Sequence, residues 1–232
     1  MFQAKTHLFF DLDHTLWDYN RNCEEALNEI FVLFDIENRG IKTPQQFINQ
    51  FHIENNRLWN LYDCRKITAT QLRFHRFRDV FSAFEIQNQT ICDQLHESYM
   101  DLSPNKPYLM EGAIEILDYL LPKYKLSIIT NGIADNQAKK MKASGIEKYF
   151  ENVICSQKAN ARKPERAIFE FALNITNCTA SRAVMIGDNY EVDIIGAQNI
   201  GIDAIYYAPY QNNEKITYKN TVEQLSQLKI FL

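Results

Sequence analysis

The sequence predicts an α/β protein: a parallel sheet with helices on both faces, and an all-α block inserted after its first strand. Three observations lead there. After Pro107, short apolar runs alternate with segments of helical period, the order expected of a parallel sheet. Between about 18 and 103 the apolar residues recur only at helical spacing. Of seven glycines, only Gly40 precedes residue 110, so the tight turns of strand–helix units belong to the back of the chain. A chain of 232 residues suffices for one large domain or two small ones.

The elements follow in order. Residues 7–12 (His-Leu-Phe-Phe-Asp-Leu) form an apolar run that reads as a buried strand. The helical block carries the stripes Ala26, Leu27, Ile30, Phe31 and Phe34; Phe47, Ile48 and Phe51; Phe74, Phe77, Phe81 and Phe84; and Cys92, Leu95, Tyr99 and Leu102. A helix is expected over 112–122, a strand over 126–130, and a helix over 134–144 ended by Gly145. Residues 153–155 read as a short strand, and Pro164 as the first turn of another helix. A strand over 183–186 precedes a helix to about Asn199, capped by Gly201, and 204–207 form a further strand. Residues 208–232 are polar and then amphipathic (Val222, Leu225, Leu228, Ile230, Phe231), which predicts a closing helix packed on the sheet.

Composition removes several classes of function. The net charge is −4, whereas wrapping a nucleic-acid backbone needs a basic face. Five cysteines, an odd number without a C-x-x-C pair, argue against a disulfide framework or a zinc ribbon. No leader pattern opens the sequence and no apolar run approaches the roughly 20 residues that span a bilayer. The expectation is a cytoplasmic protein with no nucleic-acid and no membrane partner; its oligomeric state is not readable.

In open parallel sheets ligands bind beyond the carboxyl ends of the strands. The first strand is followed by Asp11-Leu-Asp13-His14-Thr15, the second by Thr130-Asn131-Gly132, and a later one by Gly187-Asp188-Asn189 with Asp193 beyond; Arg162 and Lys163 precede Pro164. Four loops would bring four carboxylates, a hydroxyl and an ammonium to one crevice. Crowded carboxylates repel unless a cation neutralises them. Oxygen ligands without a His or Cys cluster suit a hard ion, Mg²⁺ above all, which takes one or two carboxylates plus a substrate phosphate. A lysine, a hydroxyl and backbone N–H groups suit the remaining phosphate oxygens. The chemistry that uses all of these is phosphoryl transfer. Taken singly, each motif has a bland alternative: Thr-Asn-Gly as a turn, His14 as a turn residue, Lys163 as a solvated helix start, Asp193 as a first-turn acid. Asn189 reads either as an outer partner of the metal or as a helix N-cap.

Phe10-Asp11-Leu-Asp13-His-Thr15-Leu, Thr130-Asn131-Gly132, Lys163-Pro164 and Gly187-Asp188-Asn-Tyr-Glu-Val-Asp193 resemble, in order, the four motifs of the haloacid dehalogenase (HAD) superfamily. The spacing resembles members with a helical C1-type cap inserted after the first motif. Asp11-Leu-Asp-His-Thr-Leu-Trp-Asp18, with the second and fourth motifs, resembles more closely a bacterial group of pyrimidine 5′-nucleotidases. The resemblance implies a Rossmann-like, doubly wound core over 1–17 and 107–232 and an all-α cap over 18–106 that closes over the site. It implies a Mg²⁺-dependent phosphomonoester hydrolase whose partner is a phosphorylated small molecule, a nucleoside monophosphate. Asp11 is then the nucleophile. Asp13 is the general acid and base, a task that calls for a raised pKa. Its place two residues after Asp11 in an extended strand end would point both side chains the same way. Thr130, Asn131, Gly132 and Lys163 hold the phosphate, and Asp188 ligates the metal. Asp11 and the backbone carbonyl of Asp13 add metal contacts, and Asp193 binds it through water or orients Lys163.

Neighbouring readings keep the fold and change the reaction. A sugar-phosphate or phosphoglycolate phosphatase, or a phosphoglucomutase-like enzyme, uses the same groups. A 2-haloacid dehalogenase has no alkoxide to protonate, so Asp13 argues against it. A non-catalytic module is argued against by the full set of Asp11, Asp13, Lys163 and Asp188. Trp17, Tyr19 and Trp59 are candidates for stacking on a nucleobase, with core packing as the alternative.

Overall fold

Sheet order follows from where the apolar runs fall. The computed structural model describes residues 2, 4–210 and 216–232. Strands β1 (His7–Phe10), β2 (Lys125–Thr130), β3 (Asn152–Cys155), β4 (Ala183–Gly187), β5 (Asp203–Tyr207) and β6 (Thr221–Val222) form one sheet in the order β3-β2-β1-β4-β5-β6. Every pairing is parallel. The order reverses about β1, which lies between β2 and β4, so the crevice beyond the carboxyl ends of these strands is the binding position of a doubly wound sheet.

Alternation along the strands explains two cores. Leu8, Phe10, Ile128, Val184 and Ile186 point to one face, where Ile116 and Leu117 of α5 (Ala113–Leu120) and Met141 of α6 (Ala134–Ala143) cover them. Phe9, Ile129 and Met185 point to the other, against Ile168, Phe169 and Ala172 of α8 (Arg166–Ile175). Full burial of a side chain of this size contributes roughly 1.5–3 kcal/mol, and β1, β4 and nearly all of β2 are buried on both faces, as a parallel sheet covered on both sides requires. Gly145, at φ +71, takes the left-handed turn that ends α6.

The chain divides into two compact units, Met1–Tyr19 with Pro107–Leu232, and Asn20–Lys106. The second is all helix: the bulk of α1 (Tyr19–Leu33), then α2 (Pro44–Asp63), α3 (Ala69–Ser82) and α4 (Gln89–Leu102). Side-chain caps start three of these. Thr43 accepts from the Gln46 N–H with Pro44 following, Thr68 and Gln71 form a reciprocal capping box, and Asn88 accepts from the Ile91 N–H. Its core is aromatic, with Phe77 against Phe47, Phe51 and Tyr99. The expected α3 stripe is corrected here: Leu72, Phe77, Val80 and Phe81 face inward, while Phe74 is 44% exposed beneath the Arg78 guanidinium.

Several boundaries differ from expectation. The first strand ends at Phe10, two residues early, because the chain turns where Leu16 and Trp17 N–H groups both bond the Leu12 carbonyl. Pro164 lies outside α8, which starts at Arg166, and an unexpected one-turn helix α7 (Ser156–Ala159) precedes it. After β4 the chain forms a π-helical turn, Tyr190–Ile195, before the short α9 (Gly196–Gln198). In place of the closing helix stand β6 and a 3₁₀ turn, Leu225–Ile230; Leu225 and Leu228 are buried and Ile230 is 77% exposed. Residues 211–215 of the polar stretch lie outside the described residues. All five cysteines are free thiols. Among the described residues no helix is long and apolar enough to cross a membrane.

Candidate active site

Asp11 is the first residue past β1, and its N–H donates to the Ile186 carbonyl at 2.9 Å, so the ladder with β4 delivers its carboxylate to the crevice. Lys163 arrives from the loop before α8. Its ammonium donates to Asp11 Oδ1 at 2.5 Å and to Asp193 Oδ1 at 2.6 Å, and all three side chains are buried. The Asn131 side chain clips this loop in both directions, accepting from the Lys163 N–H at 2.8 Å and donating to the Lys163 carbonyl at 2.9 Å.

Asp188 follows β4 and accepts from the Thr15 hydroxyl at 3.0 Å. Asp193 is held by the π-helical turn: Asn189 caps it by accepting from the Val192 N–H, and the Asn189 N–H donates to Asp193 Oδ2 at 3.1 Å. Asn189 therefore realises its capping alternative. A β-carbon at Gly187 would stand 2.3 Å from Asp193 Oδ2, so only glycine lets that carboxylate lie against the strand end.

Oxygens of Asp11, Asp188 and Asp193 lie within 4.8 Å of one another, and the Lys163 ammonium bonds two of the three. Burial, then Asp193 and Asp13, push the Asp11 carboxyl up to about 7 although Lys163 pulls it down. Asp188 is raised well above the ordinary carboxylate range by burial, Asp11 and Asp193. Lys163 is raised: burial opposes its charge, but Asp11 and Asp193 outweigh that. A cluster that resists its own negative charge, built from oxygen donors alone, fits a hard divalent cation.

Thr130 ends β2. Its hydroxyl oxygen accepts from the Gly132 N–H at 3.0 Å and from Gln137 Nε2 at 2.7 Å, which leaves its proton to be donated elsewhere. Asp13 stands apart from the three-carboxylate group. Lys140 Nζ donates to its Oδ1 at 2.6 Å and Gln137 Nε2 to its Oδ2 at 2.9 Å. Burial raises the Asp13 carboxyl, but Lys140 and Gln137 outweigh it and the group is held below the usual range. Two expectations are corrected here. Asp13 is not raised, and its direction comes from the turn after β1 rather than from strand alternation, since the strand has already ended.

The structure thus bonds Lys163 to Asp11 and Asp193 with Asp188 within 4.8 Å, and links Thr130, which holds the Gly132 N–H, to Asp13 through Gln137. Thr15, Gln137 and Lys140 were not assigned roles from sequence; Gln137 and Lys140 lie on a helix whose polar face looks like any solvated one. His14, at φ +64, is a turn residue. Trp17 is fully buried in the core, which removes it as a stacking platform; Tyr19 and Trp59 are partly buried and pack on other rings.

A family model described as haloacid dehalogenase-like hydrolase matches residues 8–207. The chain is 29% identical over 222 residues to the pyrimidine 5′-nucleotidase PynA of Streptococcus pneumoniae, covering 94% of this chain and 90% of that protein. It is 27% identical over 228 residues to the pyrimidine 5′-nucleotidase YjjG of Escherichia coli, covering 97% and 96%. Its fold matches the magnesium-bound crystal structure of YfnB of Bacillus subtilis with a TM-score of 0.86 at 24% identity, over 98% of each chain.

Proposed function

We propose a Mg²⁺-dependent phosphomonoesterase acting on pyrimidine nucleoside 5′-monophosphates, on the premise that this chain belongs to the haloacid dehalogenase-like hydrolase family. The observation that carries the reading is the buried Lys163 ammonium bridging Asp11 and Asp193 with Asp188 beside them. The nucleotide preference is supported by the activity named for PynA and YjjG, each aligned over most of its length.

Asp11, Asp188 and Asp193, with the backbone carbonyl of Asp13, would hold the ion, which supplies positive charge against the phosphate and the carboxylates. Asp11 attacks phosphorus, forming an acyl-phosphate O–P bond as the bond to the nucleoside oxygen breaks. Asp13, which must first take up a proton from solvent against the pull of Lys140 and Gln137, gives that proton to the departing oxygen. In the second half Asp13 takes a proton from water, the water oxygen bonds phosphorus, and the Asp11 carboxylate is released. The Lys140 ammonium favours the ionised Asp13 that this second half needs. The Thr130 hydroxyl, the N–H groups of Asn131 and Gly132, and Lys163 take the remaining phosphate oxygens.

The test is phosphate release from UMP, dUMP, dTMP, phosphoglycolate and hexose phosphates, with Mg²⁺ and with EDTA. Nucleotides are expected to lead, EDTA to stop release, and Asp11→Asn to abolish it while the folded structure persists. A near-wild-type rate in Asp11→Asn would remove the nucleophile assignment; equal rates on all esters would remove the nucleotide preference.

A further inference from the structure

Resting on that reading, we propose that Gln137 and Lys140 of α6 are positioning residues, a two-point clamp that fixes the Asp13 carboxylate and ties it to the Thr130 hydroxyl. The two are three residues apart, one helical turn, and so project to the same side of α6. Each oxygen of Asp13 meets a different donor, Lys140 Nζ at 2.6 Å on Oδ1 and Gln137 Nε2 at 2.9 Å on Oδ2, so rotation of the carboxylate breaks one bond or both. The same Gln137 nitrogen donates to Thr130 Oγ1 at 2.7 Å. One amide NH₂ has two protons and spends both here, one on the group assigned to proton exchange and one on the group assigned to the phosphate.

Three further observations separate this from ordinary packing. Gln137 is fully buried, and its Oε1 has no hydrogen-bond partner among the described residues. An unpaired buried oxygen is a cost that a leucine of similar size would not incur, so the side chain is kept for its nitrogen. Turning the amide over would set its oxygen against the Asp13 carboxylate, acceptor against acceptor. Gly132 is shaped around this nitrogen, because a β-carbon there would stand 2.2 Å from Nε2. Lys140 is itself braced: it is buried, and its ammonium lies 4.5 Å from the centroid of the Trp17 ring. A lysine held over an aromatic face and bonded to one carboxylate oxygen has little freedom to wander.

The clamp makes a prediction that depends on the leaving group. A nucleoside alkoxide needs the proton of a well-placed Asp13, whereas p-nitrophenolate leaves without one. In saturating Mg²⁺, Lys140→Met and Gln137→Leu are each expected to lower kcat/KM on UMP by about 100-fold, the scale of general acid catalysis, and on p-nitrophenyl phosphate by less than about tenfold. Lys140→Arg, which keeps a cation, should recover most of the loss. Equal losses on the two esters, a loss on UMP below about threefold, or no recovery by arginine would overturn the clamp. Wild-type protein that releases phosphate from neither ester would overturn the functional reading instead. In that event the melting midpoints of Asp13→Asn, Lys140→Met and the double variant still decide: a double loss smaller than the sum supports the contact, and strict additivity overturns it.

Discussion

Lys163→Met keeps a long apolar stem and removes the ammonium that sits 2.5 Å from Asp11 and 2.6 Å from Asp193. Deleting one partner of a buried ion pair costs roughly 3–5 kcal/mol, mostly as uncompensated charge on the carboxylates left behind. Protonation relieves part of that cost. Asp11 already sits at about 7 through burial and its acidic neighbours, and the variant loses the cation that restrained it. A carboxylate whose folded pKa exceeds its unfolded value of about 3.9 binds more protons when folded, so its contribution to stability falls as pH rises between the two values. The penalty of Lys163→Met is therefore smaller at pH 5.5 and larger at pH 8. At about 2–4 °C per kcal/mol for a chain of this size, the melting midpoint of the sheet unit should drop by roughly 6–20 °C at pH 8 in EDTA. Calorimetry of wild type and variant at both pH values reads this directly, and added Mg²⁺ should recover part of the loss by supplying positive charge to the same oxygens. A loss below about 1 kcal/mol at pH 8, or a larger loss at pH 5.5, would refute the electrostatic account.

Mg²⁺ at about 100 times its dissociation constant should stabilise the wild type by roughly 2.7 kcal/mol, and Asp188→Asn should reduce that gain in the same melting experiment. Gly187→Ala places a β-carbon 2.3 Å from Asp193 Oδ2, so it should cost about 1–3 kcal/mol in denaturant titration and cut phosphate release as Asp193 is pushed off Lys163. In the helical unit, burial and the nearby Arg76 and Arg73 lower His96 to about 4. The unfolded chain takes up that proton near pH 6.5 and the folded one does not until about 4, so stability should fall as pH drops through that window. Urea titration followed by Trp59 fluorescence in a Trp17→Phe background should show the slope, and His96→Gln should flatten it.

The short continuous apolar runs at 7–10, 126–129 and 183–186, with the polar residues after each and Lys163 before Pro164, were enough to predict a parallel sheet and to expect Asp11, Thr130, Lys163 and Asp188 at one crevice. Those signals are local: an apolar run announces a strand, and a parallel sheet brings the ends of its strands to one crevice wherever they lie in the chain. The HAD motifs sharpened the same inference because they are also short and ordered. What needed the tertiary structure was every relation decided by side-chain reach. The Asn131 clip on Lys163, the Thr15 bond to Asp188 and the capture of Asp13 by Gln137 and Lys140 join residues 32, 173, 124 and 127 positions apart. No periodicity encodes such pairs, because a glutamine on a helix reads the same whether it meets solvent or a buried carboxylate. The glycines at 132 and 187 could be read as turns from sequence; only the packed structure shows that each leaves room for one particular polar atom. The amino-acid order alone determined which strand ends share a crevice, through the geometry of a parallel sheet, and packing decided which side chains pair there and how each is charged, because burial and donor distance set both.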